Sequence, residues 1–336
     1  MNPFRISTAP TIRRYAASAC AALLLAACTN DDALSGADSE HLSNTPVTFN
    51  TRMQTALPQA TPATRTVIGE DGQTQWTQGD AVGVFMLRAG GTMPDDIILG
   101  ADNVKHNVAP TSGALSPAGT PVYYPQTGKV DFIALYPYSD KGEGNGKITT
   151  GYRYAISVAD QTNQETIDVL YARVTDRERS KTPVALNFGH VLSKIKLDIK
   201  LGDGLAGLTA DKITAVTLTG MPASATLALQ DGTLTAGAVG NISAVKEASP
   251  SAGAMVTFTA LVPPQAAGVY TRRIIVTVDG EEYTGTIPAA DAYVNNVINI
   301  YPIRVQKSGI IVGEPTIGQW TTNDHVTEEA DIVPQS

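Results

Sequence analysis

The sequence predicts an all-β protein built as two tandem β-sandwiches, and three observations carry that expectation. The first is the run 192–201, where Ile195, Leu197, Ile199 and Leu201 alternate with Lys194, Lys196, Asp198 and Lys200. Successive side chains of a strand point to opposite faces, so this alternation puts the aliphatics on a core and the lysines in solvent. The second is a nearly continuous apolar run of strand length at 81–87, as strands inside a sandwich have, with a run rich in aromatic and β-branched residues at 129–136. The third is punctuation. With 30 glycines and 20 prolines the chain is cut into short segments, and no stretch has a convincing amphipathic-helix pattern.

Taken in order, the chain opens on an export signal. Arg5, Arg13 and Arg14 make a positive start with no acidic residue before Asp31, and 16–27 is apolar. That run of about a dozen residues is too short to cross ~30 Å of hydrocarbon as a helix. It ends in Leu25-Ala26-Ala27-Cys28, which resembles the lipobox of a bacterial lipoprotein. Small residues ahead of the cysteine let a signal peptidase reach the backbone, and the thiol carries the diacylglycerol. Cys28 is therefore the expected lipidation site, the plainer alternative being an ordinary signal peptide cut at an A-x-A site. Cys20 has few apolar residues before it and reads as filler of the leader. Two or three acyl chains anchor stably where one does not. The pair Asp31-Asp32 resembles a surface-export signal of outer-membrane lipoproteins, its alternative being a solvated tether.

Removing 1–27 takes three arginines and moves the formal charge from −8 to about −11, with no basic stripe to hold a nucleic acid. Cys28 is then the one cysteine left, so no disulfide is expected and stability rests on burial. No later apolar run reaches the ~18 residues of a membrane span.

The expected organisation is a lipoprotein signal peptide over 1–27, a flexible acidic tether over 28–45, a first sandwich over 46–183 and a second over 184–336, which ends in an acidic tail. The polar run 176–183 is the boundary. First-half strands are expected at 47–51, 66–68, 81–87, 97–99, 104–108, 122–125, 129–136, 152–158 and 169–174, with a proline-rich loop at 54–64 and a turn at Asp71-Gly72. Second-half strands are expected at 184–188, 192–201, 215–218, 225–229, 255–262, 272–278, 282–287, 297–305 and 310–312. Asp231-Gly232 reads as a turn, and Asp279-Gly280 as a two-residue hairpin loop.

Several motifs together resemble the fimbrillin family, the Mfa-like subunits of the type V pili of diderm bacteria. They are the lipobox; Val47-Thr48-Phe49-Asn50 followed by Thr64-Arg65; Trp76-Thr77-Gln78-Gly79-Asp80-Ala81-Val82-Gly83-Val84-Phe85; and Phe132-Ile133-Ala134-Leu135-Tyr136-Pro137. Leu186-Asn187-Phe188-Gly189-His190-Val191-Leu192-Ser193-Lys194 and the run from Val297 through Ile317-Gly318-Gln319-Trp320 complete the set. Each is loose alone, but their order spans nearly the whole chain. The resemblance implies two transthyretin-like, Greek-key sandwiches, export as a lipoprotein and, in polymerising members, cleavage after an arginine. That cut removes the first strand and leaves a groove for a strand of the next subunit, which is β-strand addition. By position Arg65 is the first candidate for the processed arginine and Arg52 the second; the alternative is an uncut, permanently lipidated subunit. The segment 312–336 is the expected donor, unless Ile317 and Trp320 complete their own sheet.

Chemistry is sought and not found. His41, His106, His190 and His325 include no i, i+4 pair, no G-x-S-x-G occurs, and His190 reads as a satisfied structural residue. Gly142-Glu143-Gly144-Asn145-Gly146-Lys147 reads as a loop, not a phosphate cradle, since Ile148 follows the lysine. Asp95-Asp96 and Glu281-Glu282 match no calcium loop and read as exposed charge. Trp76, Tyr123, Tyr124, Tyr136 and Tyr138 read as packing and not as a sugar platform. No catalytic residue, metal or cofactor is expected. The expected role is a pilus subunit supporting adhesion, lipid-anchored at the outer membrane, with other pilin subunits as partners and a host-surface ligand besides. The alternative is a monomeric surface lipoprotein that binds a glycan or a host protein.

Overall fold

The structure is a computed structural model and describes residues 42–54, 67–68 and 76–320. Cys28, His41, Arg65, the Asp71-Gly72 turn, His325, most of the 54–64 loop and the tail past Trp320 lie outside the described residues. In chain order the strands are β1 (Leu42–Pro46), β2 (Phe49–Met53), β3 (Val67–Ile68), β4 (Ala81–Arg88), β5 (Val104–Val108), β6 (Leu115–Pro117), β7 (Tyr123–Pro125) and β8 (Val130–Tyr136). They continue as β9 (Arg153–Ser157), β10 (Leu170–Arg177), β11 (Val184–His190), β12 (Ser193–Leu201), β13 (Ile213–Pro222), β14 (Ser224–Ala228), β15 (Leu234–Ala236) and β16 (Val239–Ser243). Last come β17 (Val245–Lys246), β18 (Val256–Val262), β19 (Arg273–Val278), β20 (Glu281–Thr286), β21 (Val297–Gln306), β22 (Gly309–Val312) and β23 (Thr316–Gln319). Helix is confined, among the described residues, to the single turn α1 (Gln164–Ile167) and a 3₁₀ turn at Ala210–Lys212. The protein is all-β, as its sequence predicts.

One seven-stranded sheet has the order β2-β11-β10-β8-β4-β5-β6, accompanied by the pair β1-β7. A second runs β17-β18-β12-β21-β23-β3, with β22 joined to β21. Smaller sheets follow the orders β16-β13-β19-β20 and β15-β14-β9. The centre of the first sheet, β4 and β8, is buried on both faces. Val82, Val84 and Met86 of β4 and Phe132 and Ala134 of β8 enter one core with Phe49, Leu186 and Phe188. Their chain neighbours Phe85, Leu87, Ile133 and Leu135 enter a larger core with Ile195, Leu197, Phe258, Val276 and Tyr301. A strand whose alternate residues serve two cores must be apolar at nearly every position, and the continuous runs in the sequence have that cause.

Pairing also crosses the middle of the chain. β11, beyond residue 183, lies between β2 and β10, and β9, before it, pairs with β14. The Asp279-Gly280 hairpin forms as expected: both residues have positive φ, 50° and 85°, which a two-residue turn between twisted strands requires.

Several elements differ from the sequence reading. β1 occupies the end of the expected tether, and its mostly polar LSNTP pairs with β7, with Leu42 packed against the core around Phe49. β6, β15, β16, β17 and β23 are short and carried no clear alternation. The expected strand at 97–99 is a single bridge from Ile97 to Leu87.

The expectation that the β12 lysines face solvent is corrected: Lys194 and Lys196 are buried, at 9% and 7% exposure, while Lys200 is exposed. β12 sits between β18 and β21, so Lys194 has Leu261 and Ile298 beside it and Lys196 has Thr259 and Ile300. Over that face, Gln164 Nε2 donates to the Thr259 carbonyl (3.1 Å), and Thr259 Oγ1 donates to Glu247 Oε1 (2.7 Å). Long aliphatic stems are at home in such a position.

Candidate functional site

β2 occupies a slot and is bonded along both edges. On one side it runs parallel to β11, in register from Phe49–Val184 to Met53–Phe188. Val184 N donates to the Thr48 carbonyl (2.8 Å), and Gln54 N donates to the Phe188 carbonyl (2.6 Å). On the other side Thr51 N donates to the Gly113 carbonyl (2.8 Å), and Asn50 bridges Ala114, just before β6. β2 thereby joins the two ends of the seven-stranded sheet, and without it both ends would carry unpaired backbone groups.

The side chains of β2 alternate cleanly. Asn50 and Arg52 are exposed, while Phe49 is 3% exposed and meets Phe132 and His106 edge to face, at centroid distances of 5.2 and 5.4 Å. Thr51 Oγ1 donates to the Gly113 carbonyl (3.0 Å) and accepts from Trp76 Nε1 (2.7 Å). Trp76 in turn packs edge to face on Tyr136 and Phe188. Gly113 holds φ +66°, and a Cβ there would come within 2.6 Å of Thr51 Oγ1, so glycine is what allows the close approach.

Local sequence explains the slot floor. Asp80 closes the turn after Trp76, its carboxylate accepting from Thr77 N (2.7 Å) and from the Tyr136 hydroxyl (3.0 Å). Burial, with the charge and hydrogen bond of Asp80, pushes the Tyr136 hydroxyl well above its ordinary pKa. His106 is buried, its Nδ1 is 2.9 Å from the Val104 carbonyl, and burial lowers its pKa against the pull of that bond. The motifs around Phe49, Trp76, Tyr136 and Phe188, distant in the chain, converge on this slot.

The far end of β2 is tied to the larger core. Asn296 Nδ2 donates to the Gln54 carbonyl (3.1 Å), and Asn296 Oδ1 accepts from His190 N (3.3 Å). His190 is buried, its Nδ1 is 2.8 Å from Asp168 Oδ1, and its ring stacks on Trp320 at 4.1 Å. It is the satisfied structural residue that the sequence suggests. β23 lies between β21 and β3, so in the single chain Ile317 pairs within its own sheet, and Trp320 follows the strand.

Arg52 is exposed but belongs to β2, with Asn187 as its register partner, whereas Cys28 and Arg65 lie outside the described residues. Tyr124 is buried, and Trp76 and Tyr136 are engaged in the slot. Asp96 accepts from Thr92 N (2.8 Å) within a turn. Among the described residues no three His, Cys, Asp or Glu side chains are grouped to hold a metal ion, and no helix is long and apolar enough to cross a membrane. The sequence reading missed Gly113 and Asn296. Positive φ at an asparagine and an Ser-Gly pair in a loop are weak signals without the partner in view.

Residues 64–320 match the family model described as Fimbrillin-like. A crystal structure of a candidate cell adhesion protein from Bacteroides uniformis is similar at TM-score 0.60 and 25% identity, over 82% of this chain and 98% of that one. One from Bacteroides ovatus is similar at TM-score 0.58 and 21% identity, over 83% of this chain and 99% of that one. The tip fimbrial protein Mfa3 from Porphyromonas gingivalis, solved with a C-terminal truncation, aligns at TM-score 0.43 and 10% identity over 74% and 95%. Comparison with curated proteins finds no match. By the extent of the family match, the chain belongs to the fimbrillin-like family.

Proposed function

We propose that this chain is a pilus subunit that travels to the outer-membrane surface as a lipoprotein, acylated at Cys28, and joins its neighbours by strand exchange at the β2 slot. Family membership supports the subunit role. The observation that carries the exchange is that β2 is bonded on both edges and plugged by Phe49, yet lies upstream of Arg65. A cut after Arg65 would release β1 and β2 together. It would unpair one edge of β11 and the Gly113 carbonyl, and bare the pocket formed by Phe132 and His106. Backbone pairing then supplies affinity and the aromatic pocket supplies side-chain selection for an incoming strand. Arg52 is the second candidate, and a cut there requires β2 to open first.

In this reading 46–183 and 184–336 are two sandwich domains of transthyretin-like type, with β11 packing in the first and β9 in the second. The donor is 312–336 of another subunit, after β23 leaves its own sheet. Adhesion follows from the assembled fibre, with a host-surface ligand as a further partner. The engagement of Trp76 and Tyr136 inside the slot lends no support to a glycan platform on a monomer.

Mass spectrometry of native material tests this. An N-terminus at Thr66, with ladders on an unboiled SDS gel that vanish in Arg65→Ala, is the expected result. Intact acylated Cys28 and a lone monomer would refute it and favour a monomeric binding lipoprotein.

A further inference from the structure

We propose that Arg272 and Gln265 hold one small monovalent anion, of halide size, inside the larger core. Arg272 is fully buried, at 0% exposure. A guanidinium does not deprotonate in a protein, so its charge is buried with it. A charge taken from water without a partner is strongly unfavourable. The protein meets that need only in part. Arg272 Nε donates to Gln265 Oε1 at 3.2 Å, and the guanidinium carbon lies 3.8 Å from the centre of the Tyr293 ring. Among the described residues neither Nη1 nor Nη2 reaches an acceptor in hydrogen-bond geometry, and Gln265 Nε2 has no partner either.

The sign of the missing partner follows from the orphans, which are all donors. They call for an acceptor and exclude a metal cation. Turning the Gln265 amide over would set its NH2 against Arg272 Nε–H and still leave both Nη groups unpaired, so the hydrogen-bond network decides its orientation. Tyr293 is not the counter-charge. Burial raises its hydroxyl pKa, the Tyr301 hydrogen bond and the charge and N–H groups of the adjacent Arg272 opposing, so the phenol stays neutral at physiological pH. No ion pair to Arg272 forms among the described residues. Tyr293, Tyr301 and Ile287 around it are at most 1% exposed, which favours a small, spherical, weakly hydrated occupant.

The site lies where two connections meet. Gln265 and Arg272 bound the link from β18 to β19, and Tyr293 lies on the link from β20 to β21. Gln265 and Tyr293 exchange backbone hydrogen bonds (both 2.8 Å), and Ile287 N donates to the Arg272 carbonyl (3.0 Å). An anion here neutralises a charge on the first link, which Tyr293 of the second covers, and so stabilises that end of the core.

The test uses the full chain in detergent. Denaturant unfolding is followed at constant ionic strength while chloride replaces gluconate, and crystals grown in bromide are measured at the bromine absorption edge. The expected results are a bromide peak between Arg272 and Gln265 and saturable stabilisation. At a tenfold excess of chloride over its dissociation constant the unfolding constant falls about elevenfold. Arg272→Met should lose that dependence. If that variant does not fold, Gln265→Leu should lower bromide occupancy at the same place. A site without bromide, or chloride dependence that persists in the variants, overturns the proposal.

Discussion

Truncating Phe49 to alanine isolates the seating of β2. The ring is 3% exposed and held edge to face by Phe132 and His106, so Phe49→Ala removes both contacts and leaves a cavity. A buried Phe→Ala change costs about 3–5 kcal/mol. Each ~1.4 kcal/mol is tenfold. If β2 opens as a unit, its open population rises by about 10² to 4 × 10³. Arg52 reports that opening: its side chain is exposed, but its backbone is paired with β11 and reaches a protease only when β2 leaves. The assay is the rate at which trypsin generates the fragment ending at Arg52, under conditions where reclosing outpaces cutting. Leu197→Ala, in the other core, is the control. Phe49→Ala should accelerate this cut by the factor given, and Leu197→Ala should leave it nearly unchanged. Acceleration by both in proportion to their global destabilisation would show that β2 does not open independently, and the slot argument would fail.

Gly113→Ala should destabilise the same slot by about 1–3 kcal/mol, because a left-handed φ and a contact with Thr51 are both strained, and denaturant midpoints measure it. His106 is held neutral by burial, so as pH falls below 6.5 the unfolded chain takes up the proton first. Stability is full above that value and declines below it by up to about 1.4 kcal/mol per pH unit until the folded ring protonates. Urea midpoints between pH 8 and pH 5 should show this slope, reduced in His106→Leu. Cys28→Ser should move the protein from the membrane pellet to the soluble fraction, and continued sedimentation with membranes would refute acylation there.

The strands with strong local patterns were legible. β4, β8, β12, β18, β19 and β21 fall where apolar runs or alternation placed them, and the Asp279-Gly280 turn closes as its dipeptide suggests. Of the slot, Phe49, Trp76 and Phe188 were legible as members of motifs, but Gly113 was not, since its role depends on Thr51 some sixty residues away. Arg272 was equally hidden. A cation at the start of a strand run carries no local sign that Tyr293 and Gln265 will close over it. Lys194 and Lys196 were misplaced for the same reason: alternation tells which residues share a face, not whether that face is covered.

By itself the sequence determined that the described residues fold almost wholly as β-strands, where the stronger strands lie and where turns such as Asp279-Gly280 fall. Those properties are written in side-chain alternation and in turn dipeptides, both local. Only the tertiary structure decided that β2 closes the first sheet beside β11, that one strand feeds two cores, and that β9 and β11 pair across the middle of the chain. Pairing partners and coverage are set by residues far apart in sequence, which meet only when the backbone hydrogen bonds and apolar faces of the whole chain are satisfied together.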